Sequence, residues 1–342
     1  SNFLRERIPI MPNNAPAESL IHGDEDIQRI TVVIPCYKEK KQILDVLSKF
    51  DSSIKHIIVI DDACPERTGE FVKRNNNDSR VLVLTHEYNL GVGGATLTGY
   101  QKAIELGSDI IVKVDGDGQM EPAMIKTLIG PIERGEADYT KGNRFYRLYG
   151  LSRMPPLRLV GNLILSFASK MSSGYWKLFD PTNGFTAVHA KVAEELPLDK
   201  FHKGYFFESD MLFRLNMLRA VVVDVPIQAI YGDEKSSLKI SSILLLFLVK
   251  HAVNLFKRIT YNYFLHDFSI ASIELVIGLI FVVFGSVFGG IEWYNSSITG
   301  VTASAGTVII AALPLMVGSQ LLISFLNFDV NNQPTQPVHR NL

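Results

Sequence analysis

From Phe268 to Phe325 the chain carries no Lys or Arg, and its only acidic residues there are Glu274 and Glu292. Phe268 to Ile291 and Ala303 to Phe325 are each long enough, at about 1.5 Å per helical residue, to cross about 30 Å of hydrocarbon. Two such segments predict a pair of membrane spans. The loop expected between them, Glu292 to Thr302, has no basic residue, whereas Lys250, Lys257 and Arg258 precede the first span and Arg340 follows the second. Basic flanks stay in the cytoplasm, so the pattern predicts a multi-pass protein of the inner (cytoplasmic) membrane with its large domain and both ends on the cytoplasmic side. The sequon Asn295-Ser296-Ser297 falls in the outer loop and has meaning only in a glycosylating compartment.

Ahead of the spans, Val249 to Tyr263 sets Val249, Ala252, Val253, Phe256 and Ile259 on one helical face and Lys250, Asn254, Lys257 and Arg258 on the other. Such a helix either lies in the membrane interface or is buried in the soluble part. Further upstream, four apolar runs recur about every 25 residues: Ile30 to Ile34, His56 to Ile60, Val81 to Leu84 and Ile110 to Val114. Helical patterns such as Lys41 to Phe50 and Gly94 to Leu106 separate them, which predicts a doubly wound α/β domain on a mostly parallel sheet. A later β-like run spans Ala220 to Val225, and Leu159 to Met171 is amphipathic. The formal net charge of -1 supplies no general basic field for nucleic acid. Cys36 and Cys64, without CxxC spacing, read as reduced cytosolic thiols.

Each strand runs into a loop of distinctive chemistry: PCYKE, DDACPERT, HEYNLGVGG and DGDGQ. Ligands of open parallel sheets bind at the carboxyl ends of the strands, so these loops predict one site. DGDGQ fails as a calcium EF-hand loop, because counting from Asp115 puts Met120 and Lys126 where Gly and an acid are needed. Two carboxylates and a Gln carbonyl suit a hard divalent ion that also takes ligands from a diphosphate; a plain Asp-Gly turn is the other reading. NLGVGGATLTGY has Thr96 where a dinucleotide fingerprint needs its third Gly, and it follows the third strand. It reads as a glycine-rich turn that either admits a nucleotide or packs a helix. Tyr37, Glu39, Asp61 and Asp62 can contact a base and ribose hydroxyls, or act as caps.

Taken in order, VVIPCYKE, IDDACPERT, NLGVGGA, VDGDGQ, KGNRF, DPTNGF and YFFESD resemble the family 2 glycosyltransferases of GT-A fold. The resemblance is strongest to the polyprenyl-phosphate glycosyltransferases of dolichol-phosphate mannosyltransferase type, membrane-anchored bacterial group. It covers roughly residues 30–239 and implies an N-terminal extension at 1–29, a catalytic domain at 30–239, juxtamembrane amphipathic helices at 240–267, two spans at 268–326 and a cytoplasmic tail at 327–342. It also implies that Pro35, Tyr37, Glu39 and Asp61, together with Asp62, Gly91 and Asp115, face the nucleotide of a UDP- or GDP-sugar. Asp115, Asp117 and Gln119 would hold Mg2+ or Mn2+, and Arg144, Arg153 and Arg158 the phosphate of a polyprenyl acceptor. Asp117, Asp180 and Arg144 are the expected catalytic group; Asp180 and Glu208 either order the acceptor side, orient the sugar or only brace the loops.

This chain reads Asp-Asp-Ala-Cys where the family usually has Asp-Asp-Gly-Ser, and YGDEKSSLK where many members have an Arg before Gly-x-Ser-Lys. Lys235 is therefore the expected cation on the donor diphosphate. Inverting sugar transfer to polyprenyl phosphate is the leading expectation, with a polysaccharide- or glycolipid-extending membrane glycosyltransferase and a non-catalytic membrane scaffold as alternatives. Two spans per chain also suit a homo-oligomer.

Overall fold

The computed structural model describes residues 28–144, 156–180, 182–227 and 240–342. In chain order its elements begin β1 (Ile30–Cys36), α1 (Ile43–Ser48), β2 (Ile54–Asp61), α2 (Thr68–Asn75), β3 (Val81–Thr85), α3 (Gly91–Glu105), β4 (Ile110–Lys113) and α4 (Ile125–Glu133). β5 (Tyr139–Asn143), α5 (Pro156–Ser173), β6 (Thr186–His189), α6 (Ala190–Glu195), α7 (Phe207–Met217) and β7 (Val222–Pro226) follow. The strands form one sheet in the order β3-β2-β1-β4-β6-β5-β7. All neighbours run parallel except β6, which is antiparallel to both β4 and β5.

The apolar runs become strands because both faces of the sheet are covered. Successive side chains point to opposite faces. Val32, Ile34, Ile57 and Val59 accordingly join a core with Ile43 and Val46 of α1 and Leu128 and Ile132 of α4. Val33, Ile58 and Ile60 join another with Tyr100 of α3 and Met211 and Leu215 of α7. The four predicted strands and the late β-run are present. β5 and β6 were not legible: YTKGN and TAVH are short and partly polar, and only burial between neighbours makes them strands.

Three long helices close the chain: α8 (Ile240–Thr260), α9 (Ile270–Thr299) and α10 (Ala305–Asn331), with a π-helical turn Tyr261–His266 between the first two. α9 and α10 are long and apolar enough to cross a membrane. α9 runs through Glu292 to Thr299, so the predicted loop shrinks to residues 300–304. The two helices meet backbone to backbone: a Cβ on Gly318 would lie 2.9 Å from the Gly278 carbonyl oxygen.

α8 has its faces reversed relative to a soluble surface helix. Val249, Val253 and Phe256 are exposed, whereas His251, Asn254 and Arg258 are buried. His251 bonds Ser172 at 2.7 Å and Asn254 donates to Asp210 at 3.3 Å. Arg258 donates to Asp329 of α10 at 2.6 and 3.0 Å and to the Met171 carbonyl. Asn254 and Arg258 of the polar face thus form a hydrogen-bonded seam with His251, Lys257 of that face stays exposed, and the apolar face looks outward. Leu163, Ile164 and Phe167 of α5, the helix against which α8 packs, are exposed as well.

Candidate active site

The sheet reverses its winding direction between β1 and β4, the place where open α/β sheets bind ligands. β4 pairs with β1 only as far as Val33 opposite Lys113. Beyond that, Pro35 sits in β1 with β2 as its ladder partner, a position that tolerates a missing N–H. Its ring is buried at the end of the strand. Tyr37, 44% exposed, and half-buried Glu39 follow at the mouth. A Cβ on Gly116 would lie 3.0 Å from Cys36 Sγ and 3.3 Å from Glu39 Cγ, so that glycine lets the DGDGQ loop lie against the end of β1. Cys36 and Cys64 are free and buried, and burial, followed by the charge of Glu39, pushes the Cys36 thiol well above its ordinary range.

In the DGDGQ loop Asp115, Asp117 and Gln119 are half-buried. Asp117 Oδ1 accepts the Gln119 N–H at 3.0 Å, and Gly118 takes φ +76°, so the side chains at 117 and 119 are fixed by one tight turn. Hard oxygen donors in a half-open loop fit Mg2+ or Mn2+, which bind through one or two carboxylates and complete their shell with water and phosphate. Among the described residues no three His, Cys, Asp or Glu side chains converge, as expected for a site whose remaining ligands come with a substrate. Behind the loop lies Lys113, 1% exposed, with its ammonium 2.7 Å from Asp115 Oδ1 and 3.3 Å from Glu208 Oε1. Burial, then the charge of Asp115, pushes the Glu208 carboxyl up, while Lys113 opposes both.

Across the crevice, β5 ends at Asn143 and Arg144 turns back onto Asp180. Arg144 Nε and Nη2 each donate to one oxygen of Asp180 at 2.8 Å, a bidentate pair. Asp180 is 3% exposed and left-handed at φ +43°, and it also accepts from Asn183 Nδ2 at 3.2 Å. Burial would raise this carboxyl, but the hydrogen bond and charge of Arg144 outweigh it and hold it below the usual carboxylate range. Beneath the pair, buried Lys141 donates to the carbonyls of Phe179 and Asp180 at 2.8 and 2.6 Å. Its ammonium also stands 3.1 Å from Asp224 Oδ1, and Asp224 Oδ2 accepts from Phe179 N and Asn143 Nδ2. Arg144 keeps an outward surface, its side chain being 37% exposed.

The loops after β2 and β3 are built differently. Asp61, expected on the nucleoside, spends its oxygens on the backbone: Oδ1 accepts from Cys64 N at 2.8 Å and Oδ2 from Gly69 N at 2.6 Å. Asp62 accepts from Leu90 N and Gly91 N, both at 2.8 Å, and its Oδ1 lies 2.7 Å from His86 Nδ1. Both carboxylates thus support the loops that follow their strand. The glycine-rich turn is likewise a packing device. Gly94 N donates to the Lys203 carbonyl, and a Cβ on Gly91, which sits at φ +81°, or on Gly93 would lie 2.6 Å from the carbonyl oxygen of Lys203 or His202. The close approach it permits in this structure is by the chain's own backbone.

Arg153 and Lys235 lie outside the described residues, and Arg158 stands in the first turn of α5. Sequence reasoning missed Lys113, Lys141 and Asp224. The signal was present: a Lys inside IIVKV, or just after the apolar edge of a strand, must find an ion partner if it is buried.

The family model described as Glycosyl transferase family 2 matches residues 31–197. A UDP-N-acetylglucosamine–dolichyl-phosphate N-acetylglucosaminyltransferase of Methanococcus voltae is 32% identical over 60% of this chain and 86% of its own. An undecaprenyl-phosphate mannosyltransferase of Micrococcus luteus is 30% identical over 61% and 88%. Among solved structures, glucosyl-3-phosphoglycerate synthase of Mycobacterium tuberculosis, in complex with Mn2+, UDP and glucosyl-3-phosphoglycerate, superposes with a TM-score of 0.50 at 19% identity. It covers 68% of this chain and 80% of its own, a likeness of fold. The seven-stranded, mostly parallel sheet is a GT-A-like fold, and the chain that builds it belongs to glycosyltransferase family 2.

Proposed function

We propose that the chain transfers a sugar, with inversion, from a nucleotide sugar to a polyprenyl phosphate at the cytoplasmic membrane face. The observation that carries the acceptor half is the reversed α8. Its exposed Val249, Val253 and Phe256, beside exposed Phe167 of α5, need an apolar phase, and α9 and α10 adjoin them. An apolar cavity of about 480 Å³ opens among α5, α8, α9 and α10, lined by Phe256, Leu275, Leu322 and Phe325 together with Arg258 and Asp329. The relatives named for dolichyl- and undecaprenyl-phosphate support the same acceptor class.

Tyr37 and Glu39 take the nucleoside, with Lys235 on the donor diphosphate. Asp115, Asp117 and Gln119 hold Mg2+ or Mn2+. The metal, when bound, neutralises the charge that develops on the departing nucleoside diphosphate. A phosphate monoester has its second pKa near 6, so at neutral pH the lipid phosphate is already an anionic nucleophile and needs no general base. As its oxygen bonds to the anomeric carbon, the bond from that carbon to the nucleoside diphosphate breaks, and the configuration inverts. Arg144, aimed by Asp180, steers that phosphate, and Arg153 and Arg158 add positive charge for it. Lys141 and Asp224 hold the backbone from which Asp180 projects.

The test is incubation of the detergent-solubilised protein with Mn2+ or Mg2+, polyprenyl phosphate and a panel of UDP- and GDP-sugars, read by mass spectrometry. Lipid-phosphate-sugar from one donor, absent with Asp117→Asn, is the expected outcome. Sugar transferred only to a glycan, with none on lipid phosphate, overturns the acceptor assignment.

A further inference from the structure

Lys113 has no part in the transfer just described, yet it is a full charge inside a central strand. Its ammonium is boxed in by Asp115 Oδ1 at 2.7 Å, Glu208 Oε1 at 3.3 Å and the Gly184 carbonyl oxygen at 3.3 Å. The box has no slack: a Cβ on Gly184 would lie 2.5 Å from that nitrogen and 2.7 Å from Asp115 Oδ2. One buried cation is thereby shared between a carboxylate of the DGDGQ loop and a carboxylate of α7.

We propose that Lys113 and Glu208 are positioning residues that set how tightly the Asp115–Asp117 loop holds a divalent ion, Lys113 weakening the grip and Glu208 strengthening it. The free ion is then loosely held, and the donor diphosphate is needed to complete its binding. This rests on the reading of DGDGQ as the metal loop. The physical reason is charge at short range. A dication that bonds Asp115 meets an ammonium on the same carboxylate, where little solvent screens the repulsion, and Glu208 offsets part of it. The three side chains together carry -1, from two carboxylates and one ammonium. Removing Lys113 leaves -2, removing Glu208 leaves 0, and removing both restores -1.

The experiment is Mn2+ affinity, by titration calorimetry or by the paramagnetic resonance of free Mn2+, on the full-length detergent-solubilised chain with and without UDP. Lys113→Met is expected to bind Mn2+ roughly tenfold or more tighter than wild type without nucleotide, and Glu208→Gln weaker by a similar factor. The double variant is expected close to wild type. UDP should tighten Mn2+ binding more in wild type than in Lys113→Met. A merely structural role would loosen binding in all three variants whatever their charge, and that result overturns the proposal, as does a Lys113→Met affinity equal to wild type. Glu208→Gln is nearly isosteric and tests the sign by itself if Lys113→Met does not fold. Wild type that binds no Mn2+ even with UDP overturns the metal-loop reading beneath.

Discussion

Two acidic pairs end strands of the same sheet, Asp61 and Asp62 after β2, Asp115 and Asp117 after β4. The first pair is 2% and 3% exposed, with both oxygens of each carboxylate filled by backbone N–H groups of its own and the next loop. The second pair is half-buried; Asp117 accepts from a residue of its own turn, and Asp115 from a buried ammonium. A carboxylate surrounded by backbone donors is part of the chain's hydrogen-bond accounting, and removing it orphans buried N–H groups. The same residue type at equivalent strand ends thus meets backbone N–H groups in one loop and, on the proposed function, a metal in the other.

The sharpest way to break this contrast is to neutralise both pairs. Asp117→Asn should lower sugar transfer a hundredfold or more with no change in melting temperature; a destabilised but active variant would put it with the structural pair. Asp62→Ala should do the reverse. It leaves the Leu90 N–H without its acceptor and the Gly91 N–H with Asn89 Oδ1 alone, and denaturant unfolding should show a loss of about 1–3 kcal/mol. If stability holds and only UDP affinity falls, Asp62 belongs with the ligand-facing residues after all.

Gly91→Ala extends the comparison to the glycine-rich turn. At φ +81° and with the Lys203 carbonyl oxygen 2.6 Å from the new methyl group, it should destabilise by about 1–2 kcal/mol. Nucleotide affinity measured on the folded fraction should not change; a selective loss of UDP binding would reinstate the turn as a nucleotide site. The smallest effect concerns Asp180, buried like Asp62 but paired with a side chain. Its folded pKa is depressed, so the pair's stability is present above the ordinary Asp value and is lost only as pH falls through the lower, folded one. Arg144→Gln leaves the burial of Asp180 less opposed and should therefore move acid unfolding to higher pH. An acid-unfolding profile unchanged from wild type would mean that Asp180 is not held by Arg144.

Much of this was legible. The alternation of apolar runs with helical patterns announced the α/β sheet, and the switch between β1 and β4 falls where DGDGQ and PCYKE meet. Less legible was whatever depends on who sits opposite. β5 and β6 are strands because Lys141 and Thr186 find partners in the sheet, which no local propensity encodes. Arg258 looked like a solvated flank of the spans and is instead 2% exposed on Asp329, 71 residues away in the chain.

What the sequence determined by itself was the arrangement of elements: hydrophobic period, helix length and strand-end loops follow from residue-by-residue chemistry, and so did the family. What only the tertiary structure decided was the assignment of charges. Whether Asp61, Asp62, Lys113 or Arg258 faces a ligand, a backbone or another charge depends on contacts across tens of residues, because an ion's role is set by what replaces its water, and that is fixed only when the chain has folded around it.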